Sequence, residues 1–283
     1  MVHVAKTLWR ATIKFVDDGG SAIASNVALS LLLSLFPFLM LVTSLVRIWG
    51  NPALVDEVFN LVLEHWPADS EKAITDQVKI MVAQTPNEFF SVSTVIALIL
   101  ATNGIENARD GLNRAYRVAE TRPFWWRRLQ GAVFVIIGAF GLILAAFILI
   151  ATPLVWSFLV NKLSWLEPFS FTVVATKYAL AIGVLTLTLF SFHRFLPDGK
   201  RTVRTTFPGI ALTISGIIVG SQLFAIYLQT IANYTALYAG LAGTMVAIVY
   251  LYGLSALILF GAEFNAALVE ERGAETRHED TGS

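Results

Sequence analysis

Six apolar stretches, roughly 25–47, 88–105, 130–153, 171–193, 206–229 and 240–263, approach or exceed the length of a bilayer-spanning helix. A hydrocarbon core about 30 Å thick needs about 20 apolar residues in helical form. Lipid cannot satisfy open backbone groups, and no barrel-like alternation is present, so each stretch must be helical. The expected fold is therefore an all-α polytopic bundle with six transmembrane helices. Glu88 and Glu106 closely bracket the second stretch, which needs burial by neighbouring helices to sit in the membrane. The composition agrees: 56% of residues are hydrophobic and 14% are charged, against about 25% charged in soluble domains.

The basic residues set the expected direction of each span. Lys6, Arg10 and Lys14 precede the first span, and Arg109, Arg114, Arg117, Arg122, Arg127 and Arg128 fall in the second connection. The fourth connection has Arg194, Lys200, Arg201 and Arg204, and the tail has Arg272 and Arg277. The alternate connections hold Arg47, Lys72 and Lys79, then Lys162 and Lys177, then none. One side thus carries 15 basic residues and the other 5. The positive-inside rule puts both termini in the cytoplasm. Trp49, Trp66, Trp125, Trp126, Trp156 and Trp165 fall near span ends, where amphipathic rings favour the interface. The uncharged run from Ser21 to Val46 exceeds a signal-peptide core of roughly 7–15 residues, so it reads as a retained helix.

Residues 1–268 are expected to form one transmembrane domain, followed by a frayed polar cytoplasmic tail over 269–283. The outer connection, about 50–87, suggests two short amphipathic helices. Leu54, Val55, Val58 and Val62 recur at helical spacing, as do Ile74, Gln77, Val78 and Met81, with acidic residues on the other faces. They would cap the outer mouth.

Several chemistries lack their residues. There is no cysteine, which removes disulfides, thiolate metal sites and a cysteine nucleophile. The four histidines are scattered, so no metal or catalytic set is expected. No phosphate-loop motif is present, and no cofactor or ATP-driven step is expected. Lys plus Arg balance Asp plus Glu at 20 each, giving no charge argument for nucleic acid.

Polar residues within or beside the spans are the candidate functional positions. Asn26, Ser30 and Ser34 recur at i, i+4, i+8 before Pro37. They would line a pathway or, on the simpler reading, hydrogen-bond between helices. Arg109, Asn113 and Arg117 have the same spacing on a continued second helix. Their guanidinium forks suit phosphate or carboxylate, although an anchor on anionic lipid headgroups is the favoured reading. Glu106, and Glu263 with Asn265, end the second and sixth spans as similar carboxylate–amide pairs. Meeting at the cytoplasmic mouth, they would couple transport to protons or cations, although chance similarity is the simpler reading.

Three motifs carry a family likeness. Ser30-Leu-Leu-Leu-Ser-Leu-Phe-Pro37 comes first, then Asn113-Arg-Ala-Tyr116 with Arg122-Pro-Phe124, then Gly261-Ala-Glu-Phe-Asn-Ala-Ala-Leu268. In this order, spanning about 10 to 270, they resemble the signatures of the YihY/BrkB family of bacterial inner-membrane proteins. The segment Ala24-Ser-Asn-Val-Ala28 departs from that family's aromatic-rich pattern. The resemblance implies envelope lipid traffic, serum resistance or a former tRNA-processing ribonuclease label. A metal-dependent nuclease needs clustered ligands, and the arginines already have a topological cause, so the nuclease reading is rejected. A transporter, exporter or lipid translocator with a lipid or small-molecule substrate is the expected function, and a non-transporting envelope scaffold is the alternative.

Overall fold

The computed structural model describes residues 2–49, 89–231 and 242–281. Among these the chain is helical, with no strand. The expected helices of the outer connection, about 50–87, lie outside the described residues.

Helix α1 runs Val2–Asp17 and α2 runs Gly20–Trp49. They are separated by Gly19, whose φ of +69° is open to glycine at little cost. α3 covers Phe89–Ala115, α4 covers Phe124–Lys162, and a 3₁₀ turn over Ser164–Phe169 leads into α5, Ser170–Phe195. α6 spans Val203–Ile231 and α7 spans Ala242–Thr281. Among the described residues, three segments are long and apolar enough to cross a membrane: Trp165–Phe195, Val203–Leu228 and Thr244–Glu271. They coincide with the fourth, fifth and sixth expected spans. Gly20–Ser34 is a shorter apolar helix.

Each of α2 to α7 packs on its neighbour in sequence, and α7 returns to α2, so the six close a ring. α2 and α3 make the most extensive pairing, and α3 also touches α7. The main buried cluster gathers Ala24, Ile105, Leu112, Phe134, Leu196, Leu259 and Ala262. These residues lie near the start of α2, the end of α3, the start of α4, the end of α5 and the lower part of α7. Consecutive helices are thus antiparallel, and one end of the ring is densely filled.

The helices reach further at both ends than the apolar runs do. The N-terminal arm is a helix, with Ala11 packed against Phe264 and Ala267 of α7. Beyond residue 268, α7 continues to Thr281. The continuation begins against α1, with Lys14 bonded to Glu270 and the Thr7 hydroxyl to Glu271. These contacts carry the helix past the end of the apolar run.

Candidate functional site

The filled end of the ring is held by a buried polar network. α3 supplies Glu106, Arg109 and Asn113, which project together because three- and four-residue spacing shares a helix face. Arg109 is wholly buried. It pairs with Glu106, donates to the Arg127 carbonyl at 3.0 Å, and lies 3.9 Å from Glu120. Arg127 reaches the other Glu106 oxygen at 3.4 Å. Arg122 forks onto Glu120 through Nε at 2.6 Å and Nη2 at 2.7 Å, and also donates to Gln130 and the Leu196 carbonyl. Burial alone would raise the Glu120 carboxyl, but bonds from Arg122 and Asn113 outweigh it and hold it below its ordinary value. Glu120 in turn holds the Arg122 guanidinium above its own.

A second ionic group lies on another flank of α3. Helix α3 ends at Ala115, and Arg117 has a φ of +57°. The Arg117 N–H bonds the Arg114 carbonyl and the Val118 N–H bonds the Asn113 carbonyl, which is the Schellman pattern of a helix stop. That reversal aims the guanidinium at Glu263 of α7 (3.1 Å) and at Asp18 between α1 and α2 (2.7 Å). Glu263 is only 2% exposed. Four arginines and four carboxylates thus neutralise one another among the described residues.

Two amides tie the same end of the bundle to its neighbouring segments. Asn113 donates to Glu120 and accepts the Asp198 N–H, which ties α3 to the turn between α5 and α6. In that turn the Thr121 hydroxyl, the Thr121 N–H and the Gly199 N–H hold Asp198 down to about 2. Asn265 accepts the Gly209 N–H at 2.6 Å and donates to the Thr206 carbonyl and the Tyr116 hydroxyl. The Tyr116 hydroxyl also shares a hydrogen bond with Nδ1 of the buried His193 at 3.0 Å, its direction set by the histidine tautomer. Burial pushes the Tyr116 phenol up to about 12. Arg201 stacks over the same ring, 4.1 Å from its centre.

The structure redistributes the candidate residues. Arg109 and Asn113 share a face as expected, but Arg117 leaves it because the helix stops two residues earlier. Their forks hold carboxylates of this chain, and the burial of Arg109 is incompatible with a headgroup anchor at that position. Glu106 and Glu263 lie at the same end of the bundle but in separate ionic groups, in keeping with the simpler reading of the two helix ends. In the first span, Ser30 accepts from Asn107 across α2 and α3 at 3.2 Å, Ser34 bonds the Leu31 carbonyl, and Asn26 is exposed. Helix–helix bonding therefore accounts for Ser30.

The candidate set missed Asp18, Tyr116, Glu120, Arg122, Arg127, His193, Asp198 and Arg201. Tyr116 and Arg122 stood within quoted motifs, so the likeness marked them. His193 ends the fourth apolar stretch as a lone histidine, and nothing local distinguishes the others from solvated charges. Among the described residues, no group of three or more His, Asp or Glu could hold a metal ion.

Comparison with known proteins places this geometry in context. Residues 11–282 match the family described as Virulence factor BrkB. The ribonuclease-like protein YfkH of Bacillus subtilis is 26% identical over 88% of this chain and 90% of its own length. A UPF0761 membrane protein of Alteromonas mediterranea is 22% identical over 90% of this chain and 84% of its own. Another UPF0761 membrane protein, from Neisseria meningitidis, is 20% identical over 95% of this chain and 64% of its own. No solved structure matches this chain significantly.

Proposed function

Because this chain belongs to the virulence factor BrkB family, we propose that it moves a lipid or small molecule across the bacterial inner membrane. In this reading residues 1–268 form one domain that crosses six times with both termini cytoplasmic. The alternating basic connections and the antiparallel ring support that topology. Transport is not powered by ATP in this chain, and the reading includes no enzymatic step.

The observation that carries the proposal is the ionic network closing one end of a ring of largely apolar helices. Burying paired charges is often no better for stability than burying apolar residues of similar volume. A lattice with interchangeable partners, such as Arg117 between Asp18 and Glu263, suits an element with two arrangements. The network then acts as a cytoplasmic gate. The ribonuclease-like description of the Bacillus relative is not extended to this chain, since Arg109, Arg117, Arg122 and Arg127 are engaged by its own carboxylates.

Reconstitution into liposomes, with a lipid-scrambling and solute-flux panel, tests the proposal. Wild-type protein is expected to move at least one class of probe, and Arg109→Gln or Glu106→Gln to change its rate or raise basal leak. Folded wild-type protein that moves nothing would sink transport and favour the envelope scaffold. Changing Glu106 and Glu263 to glutamine, singly and together, tests ion coupling through the pH and cation dependence of any flux.

A further inference from the structure

The side chains of α1 sort onto three faces, only one of which packs apolar side chains against the bundle. Thr7 and Ala11 are buried, and Leu8 and Phe15 join them against Phe260, Phe264 and Ala267 of α7. On another face Trp9, Ile13 and Val16, at i, i+4 and i+7, are 67%, 44% and 66% exposed. A helix that only packed on the bundle would need one apolar face, and this one has two. Beside the exposed stripe runs a basic row: Lys6 and Arg10 are exposed, and Lys14 is paired with Glu270 at 2.7 Å.

We propose that α1 is an interfacial anchor that presses Trp9, Ile13 and Val16 into the headgroup boundary of an anionic bilayer leaflet, with Lys6 and Arg10 against lipid phosphates. An apolar stripe bordered by basic residues complements such a surface in both chemistry and charge. The indole of Trp9 suits the boundary in particular. α1 is also held where that boundary must lie. Phe15 meets Phe260, and Thr7 meets Glu271, at the end of a segment apolar enough to cross a membrane. The inference rests on the membrane placement proposed above and is independent of transport. It assigns headgroup contact to α1, where the basic residues are exposed, instead of to the buried Arg109.

The chain has no cysteine, so single nitroxide labels can be placed without background. Labels at Trp9→Cys, Ile13→Cys and Val16→Cys are compared with Asp17→Cys and with Phe140→Cys, an exposed position midway along α4. The protein is reconstituted in phosphatidylcholine vesicles with and without phosphatidylglycerol. Positions 9, 13, 16 and 140 are expected to be accessible to oxygen and shielded from a nickel chelate, with position 17 reversed. Phosphatidylglycerol should deepen the α1 labels. Lys6→Glu with Arg10→Glu should cut the inserted-to-released ratio by roughly fivefold per charge. Water-exposed α1 labels beside a lipid-exposed position 140 would overturn the anchor alone. Water exposure at position 140 as well would overturn the membrane placement and the anchor together. Spin–spin broadening at the stripe would assign it to a second copy of the chain. Insertion indifferent to lipid charge and to the double substitution would overturn the anionic assignment.

Discussion

Arg117 holds a backbone conformation that glycine normally supplies at a helix stop, and its guanidinium is the gain that offsets the strain. A non-glycine residue there costs about 1–2 kcal/mol. Arg117→Gly loses the ion pairs but relaxes the backbone, whereas Arg117→Ala loses the pairs and keeps the strain. Thermal unfolding in micelles should therefore find Arg117→Ala less stable than Arg117→Gly by about 1 kcal/mol. Equal midpoints would mean that residue 117 stores no strain. Arg109→Ala leaves Glu106 without its buried partner and should cost about 3 kcal/mol or more. Asp198 gives a pH signature. Its carboxyl is held at about 2, below the ordinary 3.8, so its contribution is fully present above about pH 4 and is lost as pH falls toward about 2. The stability gap between wild type and Asp198→Asn should close through that window. A gap that stays constant would show that the carboxylate is not specifically bonded in the folded state. None of this was legible in the residues singly, since Arg117 read as part of a continued second helix and nothing local marks Asp198.

Between elements, α6 and α7 approach most closely at Gly209 and Gly261. A Cβ on Gly209 would lie 2.0 Å from the Gly261 carbonyl oxygen, and one on Gly261 would lie 2.7 Å from that of Gly209. Neither backbone can yield without separating the helices and stretching the Asn265 bonds. Gly216 differs, because its Cβ would meet the flexible end of Leu257. Gly209→Ala and Gly261→Ala should each destabilise by about 1–3 kcal/mol, and Gly216→Ala by less. Comparable losses at all three would indicate that the backbone contact is not tight. The periodicity and length of apolar runs placed these helices well, because both are local properties. Helix ends were less legible: α3 stops at Ala115, not beyond Arg117, and α7 passes the last apolar residue because α1 packs beside it. α1 itself was seen only as a row of positive charges, although its apolar positions recur at helical spacing on two faces.

For the whole molecule, the ring requires all the network segments to share one end, and the proposed topology puts that end in the cytoplasm. Single cysteines at Thr12 and Lys200 should react with a membrane-impermeant thiol reagent from the cytoplasmic side, and one at Lys162 from the opposite side. Labelling of Lys162 and Lys200 from the same side would break the proposed alternation. The sequence by itself determined the helical class, the apolar segments able to cross a membrane, and the motifs that mark the family. These depend on composition and spacing within some twenty residues, which hydrophobicity and hydrogen-bond geometry control locally. Only the tertiary structure decided which polar groups meet. Arg117 pairs with Glu263 across 146 residues and Tyr116 with His193 across 77. Such pairings follow from how helices stack around the ring, and a charge's own neighbours in sequence carry no record of the distant carboxylate that will neutralise it.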